Sequence, residues 1–274
     1  MSAAASGRRG RVLIIAGSDS GGGAGIQADI KTVTMLGGYA ATAITALTAQ
    51  DTLTVHAIHE VPADFVAQQI RVVLQDIGAD AVKTGMLHRA DIIRVVADAL
   101  DAHAPDVPLV VDPVMVAKGG ARLLQPEAEQ ALRTLLIPRA AVITPNLPEA
   151  EVLAGTRIAD AAAMPDAARA LLALGPRAVL LKGGHLAGDD LVDLLAAQGG
   201  ASFRFENRRL HSTATHGTGC TLASAIATGL ALGQPLNYAV EAARRYVRHA
   251  IEAAPGFGQG HGPLGHGWPL AAKG

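Results

Sequence analysis

The stretch RVLIIAGSDSGGGAGIQADIKTVTMLGG, Arg11 to Gly38, decides how the chain folds. Arg11 to Ala16 is a short β-branched run. Gly17-Ser18-Asp19-Ser20-Gly21-Gly22-Gly23-Ala24-Gly25 follows, and Ile26 to Leu36 then carries apolar residues at helical spacing until Gly37-Gly38 stops them. This reads as strand, glycine loop, helix. No G-x-G-x-x-G can be laid on residues 17 to 25 and no G-K-[ST] is present, so neither the dinucleotide fingerprint nor a P-loop accounts for the glycines. A tight strand-to-helix turn accounts for them equally well, with Asp19 and Asp29 as simple caps and surface charge.

The whole chain suits such a unit. Its 274 residues are 50% hydrophobic but only 3% aromatic, which predicts an aliphatic core with close helix-to-sheet packing. A net charge of −1 excludes a polyanion-binding surface and points to a small-molecule ligand. The single cysteine rules out an intramolecular disulfide and a Cys-based zinc site, and fits a reducing cytoplasmic setting. The apolar run after the basic N-terminus is too short for a signal-peptide core or a membrane span. Residues 1–9 read as a disordered lead-in to one domain over residues 10–274.

Further strands are expected at Tyr39 to Thr48, buried on both faces, and at Thr54 to Val61, Ala79 to Gly85, Leu109 to Val111, Ala141 to Thr144 and Ala178 to Leu181. A hairpin is expected over Leu191 to Leu210, turning at Gln198-Gly199-Gly200. A helix after Pro62 places Phe65, Val66, Ile70, Val73, Leu74 and Ile77 on one core face. Others are expected over Asp91 to Leu100, after Pro145, from Asp160 to Leu174, and from Leu236 to Ala253. In Thr215-His216-Gly217-Thr218-Gly219-Cys220 a glycine loop opens the Ala-rich helix Thr221 to Leu232. Backbone amides and the positive dipole end converge there, a seat for phosphate, and the same field is expected to lower the thiol pKa of Cys220.

Alternating strands and helices with continuous apolar strands predict an α/β fold, a mostly parallel central sheet with helices on both faces. Ligands in such folds bind outside the carboxyl ends of the strands. Asp19, Gln50, Met86, Asp112, Asn146 and Lys182 all fall at such ends. Gln50 can read a polar ligand edge or bond its own loop. Asp112 suits a metal or phosphate, or caps its loop. Asn146 and Glu149 suit magnesium and its waters, although spacing alone favours a capping box. His261 and His266, on a glycine-rich tail, lack a third ligand and a fixed geometry for metal.

AGSDSGGGAGIQADIKT (Ala16 to Thr32), ITALTAQDT (Ile44 to Thr52), KTGML (Lys83 to Leu87), VDPVM (Val111 to Met115), ITPNLPEA (Ile143 to Ala150), LKGGH (Leu181 to His185) and HGTGC (His216 to Cys220) follow one another in an order and spacing that resembles the hydroxymethylpyrimidine/phosphomethylpyrimidine kinases of thiamine biosynthesis, ribokinase-like enzymes. The resemblance runs from about Val12 to Pro263. It implies a ribokinase-like fold and two phosphoryl transfers from ATP: hydroxymethylpyrimidine to its monophosphate, then to the diphosphate. It places Gln50 on the aminopyrimidine edge, with Gly17, Asp19, Ala24, Met86 and Val114 around the ring. Asn146 and Glu149 match the N-x-x-E metal motif, so the resemblance reverses the capping preference and assigns them, with Asp112, to Mg2+. Asn146, Lys182, Thr215 and Thr218 would meet the ATP phosphates, Gly217, Thr218 and Gly219 would form the anion hole, and Cys220 would be the base. A homodimer is implied, without nucleic acid or membrane. The alternatives are a pyridoxal-type kinase with the same mechanism and a ligand-sensing homologue without turnover; the complete set of Lys182, Asn146, Glu149 and the Gly217 to Cys220 loop argues against the latter. A dinucleotide-dependent oxidoreductase is disfavoured by the missing fingerprint.

Overall fold

The run that begins at Arg11 forms β1, Arg11–Asp19, which outlasts its apolar residues. Beyond an irregularity between Ala16 and Ser18 it keeps pairing, Ser18 with Leu47 and Asp19 with Thr48, and so carries the start of the glycine loop on a strand. The computed structural model describes residues 10–117, 120, 122–186 and 188–271. The expected lead-in, residues 1–9, lies outside them.

After β1 come α1 (Gly25–Met35), β2 (Tyr39–Gln50), β3 (Val55–Glu60), α2 (Ala63–Asp76), β4 (Ala81–Thr84), α3 (Ala90–His103) and β5 (Leu109–Val111). Then follow α4 (Pro126–Ala131), β6 (Val142–Ile143), α5 (Leu147–Ala154), α6 (Met164–Leu172), β7 (Ala178–Lys182), β8 (Asp190–Ala197), β9 (Ser202–Arg208), α7 (Thr218–Ala231), α8 (Leu236–Glu252) and α9 (Trp268–Ala271). Among the described residues the strands form one nine-stranded sheet, ordered β3-β2-β1-β4-β5-β6-β7-β8-β9. From β2 to β7 neighbours are parallel; β3, β8 and β9 join antiparallel at the two edges.

The continuous apolar strands are explained by two core layers. Successive side chains alternate between the faces of a strand. Leu13, Ile15, Val82, Val111, Ile143, Val179 and Leu181 therefore pack on one side, against residues of α2 to α6 such as Ile70, Ile93 and Leu153. Val12, Ile14, Ala16, Ala81, Val110, Val142 and Leu180 pack on the other, against α1, α7 and α8. Burying each such side chain contributes roughly 1.5–3 kcal/mol, which makes these strands the fixed frame from which the loops project.

Four expectations need correction. Phe65 is 53% exposed while Val66 and Ile70 are buried, because a 100° step per residue turns Phe65 off the core stripe of α2. β2 is not buried on both faces. Leu47 is 44% exposed, because the outer half of the strand runs past the helices and pairs with the edge strand β3. Asp29 is not surface charge; it is fully buried. Finally, the segment after Pro126, which carried no expected element, is helical. It leaves α4 through a wide π turn at Leu132–Leu136 and a tight 3-10 turn at Ile137–Arg139, burying Leu132, Leu136 and Ile137.

Candidate active site

The loop after β1 is shaped by one carboxylate. Asp19 accepts from the amides of Gly21 (2.8 Å), Gly23 (3.0 Å) and Ala24 (2.8 Å), and His216 Nε2 lies 2.8 Å from its Oδ2. Burial opposes the charged form, yet the bonds from His216 and from the Ala24 and Gly21 amides outweigh it and hold the carboxyl below its ordinary range. Asp19 thus ties the first glycine loop to the second, 197 residues later. The role of His216 escapes a reading of the sequence, because a partner so far away leaves no local trace.

The second loop needs a glycine at its turn. Gly217 caps α7 with φ 81°, and a Cβ there would lie 1.9 Å from the carbonyl oxygen of Gly23. The two loops are consequently in backbone contact, and the amino end of α7 opens between them. Two residues on, Gly219 faces a different pair. A Cβ at this position would sit 3.4 Å from Asp112 Oδ2 and 3.5 Å from Lys182 Nζ.

A cavity of about 710 Å³ runs along the carboxyl ends of the strands. Gly17, Asp19, Ala24, Gln50, Met86 and Val114 line the part beyond β2, β1, β4 and β5; Asp112, Asn146, Glu149 and Lys182 line the middle, beside Thr215 and Gly217 to Cys220. Every residue singled out from the sequence as a site candidate therefore borders one space. Towards β8, β9 and α8 the wall adds Asn207, Arg209, Arg244, Val247 and Ile251, which sequence reading missed. Arg209 donates to the carbonyls of Gly184 (3.0 Å), Leu186 (2.7 Å) and Gly188 (3.0 Å), fixing the loop that follows Lys182.

In the middle, Lys182 Nζ lies 3.4 Å from Asp112 Oδ1, which also accepts from Thr144 Oγ1 at 3.2 Å. Burial works against the ammonium, but Asp112 and Glu149 raise its pKa above the ordinary lysine value. The expected capping box is present: Asn146 Oδ1 accepts from the Glu149 amide and Glu149 Oε2 from the Asn146 amide, both at 2.9 Å. Burial pushes the Glu149 carboxyl up to about 7; Lys182 opposes this and Asp112 adds to it. Gln50 does contact its own surroundings, accepting from Thr48 Oγ1 at 3.2 Å, with Nε2 3.3 Å from His216 Nε2. His266 is buried against Thr221 Oγ1 at 2.9 Å, and the described residues hold no cluster of three metal-ligating side chains.

Cys220 corrects one expectation. The helix terminus was expected to lower its thiol pKa, but enclosure by protein pushes it up to about 12. Lys83 opposes that rise, Asp29 and Asp112 reinforce it, and a bond from the Gly25 amide opposes it again. Enclosure outweighs the groups that favour the thiolate at the start of the helix.

A cavity at the carboxyl ends of a mostly parallel sheet, with a glycine loop at a helix amino end beside a lysine and a carboxylate, has the architecture of a ribokinase-like small-molecule kinase. The chain belongs to the phosphomethylpyrimidine kinase family, whose model matches residues 19–265. It is 55% identical to the thiamine biosynthesis bifunctional protein ThiED of Geobacter sulfurreducens, over 94% of this chain and 52% of that protein, so it spans about half the length of that relative. It is 51% identical to the hydroxymethylpyrimidine/phosphomethylpyrimidine kinase of Streptomyces coelicolor, over 94% of this chain and 95% of that one. Among solved structures, the ADP complex of Bacillus subtilis pyridoxal kinase is similar with a TM-score of 0.88 and 36% identity, covering 96% of this chain and 99% of that one. No helix among the described residues is long and apolar enough to cross a membrane.

Proposed function

We propose that the protein phosphorylates 4-amino-5-hydroxymethyl-2-methylpyrimidine from ATP and then phosphorylates the monophosphate to the diphosphate. The observation that carries this reading is the convergence on Gly219. The anion loop at the start of α7, the Asp112 carboxylate and the Lys182 ammonium meet at one spot on the cavity wall. Phosphoryl transfer depends on positioning and charge stabilisation more than on covalent chemistry, and this arrangement supplies both.

Gln50, held by Thr48, presents its amide to the aminopyrimidine edge, and Gly17, Ala24, Met86 and Val114 enclose the flat ring, with Asp19 holding the loop in place. The amides of Gly217, Thr218 and Gly219 receive the oxygens of the transferring group, and Lys182 neutralises their charge. Asn146, Thr215 and Thr218 meet the remaining ATP phosphates. In the first transfer Cys220 takes the hydroxymethyl proton as the oxygen attacks phosphorus and ADP leaves. The second needs no comparable base, because a phosphate monoester is already ionised near neutral pH (second pKa about 6).

The residues fit Mg2+. Asp112 and Glu149 are both buried, and burial together with Asp112 disfavours the charged form of Glu149, a tension a divalent cation relieves. Magnesium keeps waters and binds one or two carboxylates with substrate phosphates, which suits a wall without a full protein cage. When bound, the ion neutralises phosphate oxygens; Asp112, Glu149 and Asn146 would hold it.

The pyrimidine is preferred over pyridoxal because relatives named for it share about half of the sequence, against 36% for the pyridoxal kinase. Incubation with ATP, magnesium and an equimolar mixture of hydroxymethylpyrimidine and pyridoxal, read by mass spectrometry, tests this. Pyrimidine monophosphate followed by diphosphate is expected. Pyridoxal phosphate alone would overturn the substrate, and no product would overturn the activity.

A further inference from the structure

A buried ion pair beneath the cavity takes no direct part in the proposed transfer. Lys83 Nζ lies 2.8 Å and 3.0 Å from the two oxygens of Asp29, and both side chains are fully buried. Ser224 Oγ donates to Asp29 Oδ1 at 2.6 Å. A pair of this kind is a poor stabiliser, because taking two charges out of water offsets most of their attraction, and apolar residues of the same volume hold a core as well or better. Its position suggests another use.

On β4 the alternation of side chains sends Lys83, like Ala81, to the face covered by α1 and α7. There it meets Asp29 from α1, which is anchored by Ser224 from α7. Ser224 follows Cys220 by four residues, one helical turn, so the anchored pair lies on the same stripe of α7 as the sulfur. Gly85 leaves the ammonium room at the cavity edge, since a Cβ there would lie 2.9 Å from Lys83 Nζ. Both Lys83 and Cys220 border the cavity. The charged groups around the sulfur are Lys83 from β4, Asp29 from α1, Asp112 after β5 and Lys182 from β7, and the Gly25 amide donates to it.

We propose that Lys83 is a positioning residue for proton transfer, a fixed cation locked by Asp29 and by Ser224, which lies one turn from Cys220, and that its field favours the thiolate of Cys220 against the burial that opposes it. Of the charges around Cys220, Lys83 and Lys182 favour ionisation, Lys83 the more strongly, while Asp29 and Asp112 oppose it. The proposal takes from the preceding section the idea that Cys220 is the base, but its test does not.

Cys220 is the only cysteine, so alkylation of the full chain by iodoacetamide reports on one thiol. Below the thiol pKa the rate follows the thiolate fraction, and a one-unit rise slows it about tenfold at fixed pH. Lys83→Met is expected to slow alkylation at least about tenfold between pH 7 and 9. The double variant Lys83→Met/Asp29→Leu, which leaves no unpaired buried charge, is expected to fold with the wild-type melting temperature and still to react more slowly. A purely structural role predicts the opposite sign, because a loosened core exposes the sulfur and speeds the reaction. An unchanged or faster rate in the folded double variant overturns the proposal. Kinase assays then separate the two ideas. Slow alkylation with selective loss of the first phosphorylation supports both, whereas slow alkylation with equal loss of the two steps supports the Lys83 field and removes Cys220 as base.

Discussion

Gly219→Ala separates an anion seat from tight packing at the start of α7. Gly219 lies in the first turn of the helix, outside the positive-φ glycines, so alanine can adopt its backbone conformation. A Cβ would meet Asp112 Oδ2 at 3.4 Å and Lys182 Nζ at 3.5 Å, ordinary contact distances that require no backbone shift. Replacing an unstrained glycine stabilises by about 0.4–1 kcal/mol through the unfolded chain. At roughly 2–4 °C per kcal/mol for a domain of this size, the melting temperature should rise by about 1–4 °C. The methyl group, however, touches both the carboxylate and the ammonium, where the proposed reading seats an oxygen of the transferring phosphoryl group within reach of the loop amides. Alanine keeps its backbone N–H, but a methyl group that bars the oxygen from the amides should cost about as much as the loss of one oxyanion donor, about 2.7–4 kcal/mol, a fall of about 10²–10³ in kcat. ADP release measured separately with hydroxymethylpyrimidine and with its monophosphate should show that loss in both steps, since both use the seat. Turnover within about threefold of wild type, in a variant of unchanged stability, would refute the anion-seat assignment and leave close packing as the reason for the glycine. Gly217→Ala would not discriminate, because its Cβ would strike the Gly23 carbonyl at 1.9 Å and damage fold and activity together.

Other consequences can be checked with the same preparations. Cys220→Ala should depress the first phosphorylation by about 10²-fold or more, in line with general-base contributions, and the second much less; equal losses in the two assays would remove Cys220 as a base used in one step. Gln50→Ala should raise the KM for the pyrimidine while leaving that for ATP nearly unchanged, whereas a parallel rise in both would place Gln50 elsewhere. Because burial, with Asp112, raises the Glu149 carboxyl from 4.5 to about 7, the folded chain holds this proton more tightly than the unfolded one. The resulting stability is full below pH 4.5 and is lost as pH rises through 7. Melting temperatures should therefore fall across that window, Glu149→Gln should flatten the fall, and magnesium should restore the wild type at pH 8; identical slopes in the two proteins would refute the assignment.

The frame was legible in the sequence wherever the physics was local. β5 begins and ends where its apolar run does, and the turn at Gln198-Gly199-Gly200 joins β8 to β9 as expected. What escaped depended on partners far along the chain. Nothing near Asp29 reveals that α1 turns it onto Lys83, 54 residues later, although a lysine inside the four-residue buried strand β4 was a usable signal. His216 needed Asp19. The segment from Pro126 to Arg139 escaped for another reason: its π and 3-10 turns break the 3.6-residue period on which helix recognition depends. For Cys220, the helix-terminus argument was sound as far as it went, but desolvation depends on enclosure by α1, β4 and β5, which no local window contains.

Asn146 and Glu149 show why the local and functional readings of one motif need not compete. The capping box uses Asn146 Oδ1 and Glu149 Oε2 against each other's amides, and Glu149 also accepts from the Met115 amide. A carboxylate offers about four acceptor positions, so these bonds leave capacity directed at the cavity. Burial disfavours the charged form of Glu149, and the amide bonds oppose that penalty by favouring it. The cap therefore does more than start α5. It holds a half-satisfied carboxyl in a buried place next to Asp112, where a surface rotamer would otherwise turn to water. Spacing three apart is required both by the box and by two oxygens converging on one ligand, which is why neither reading could be chosen from spacing alone. The wall that the pair shares with Lys182 and Gly219 is what supports the proposed magnesium role beside the cap.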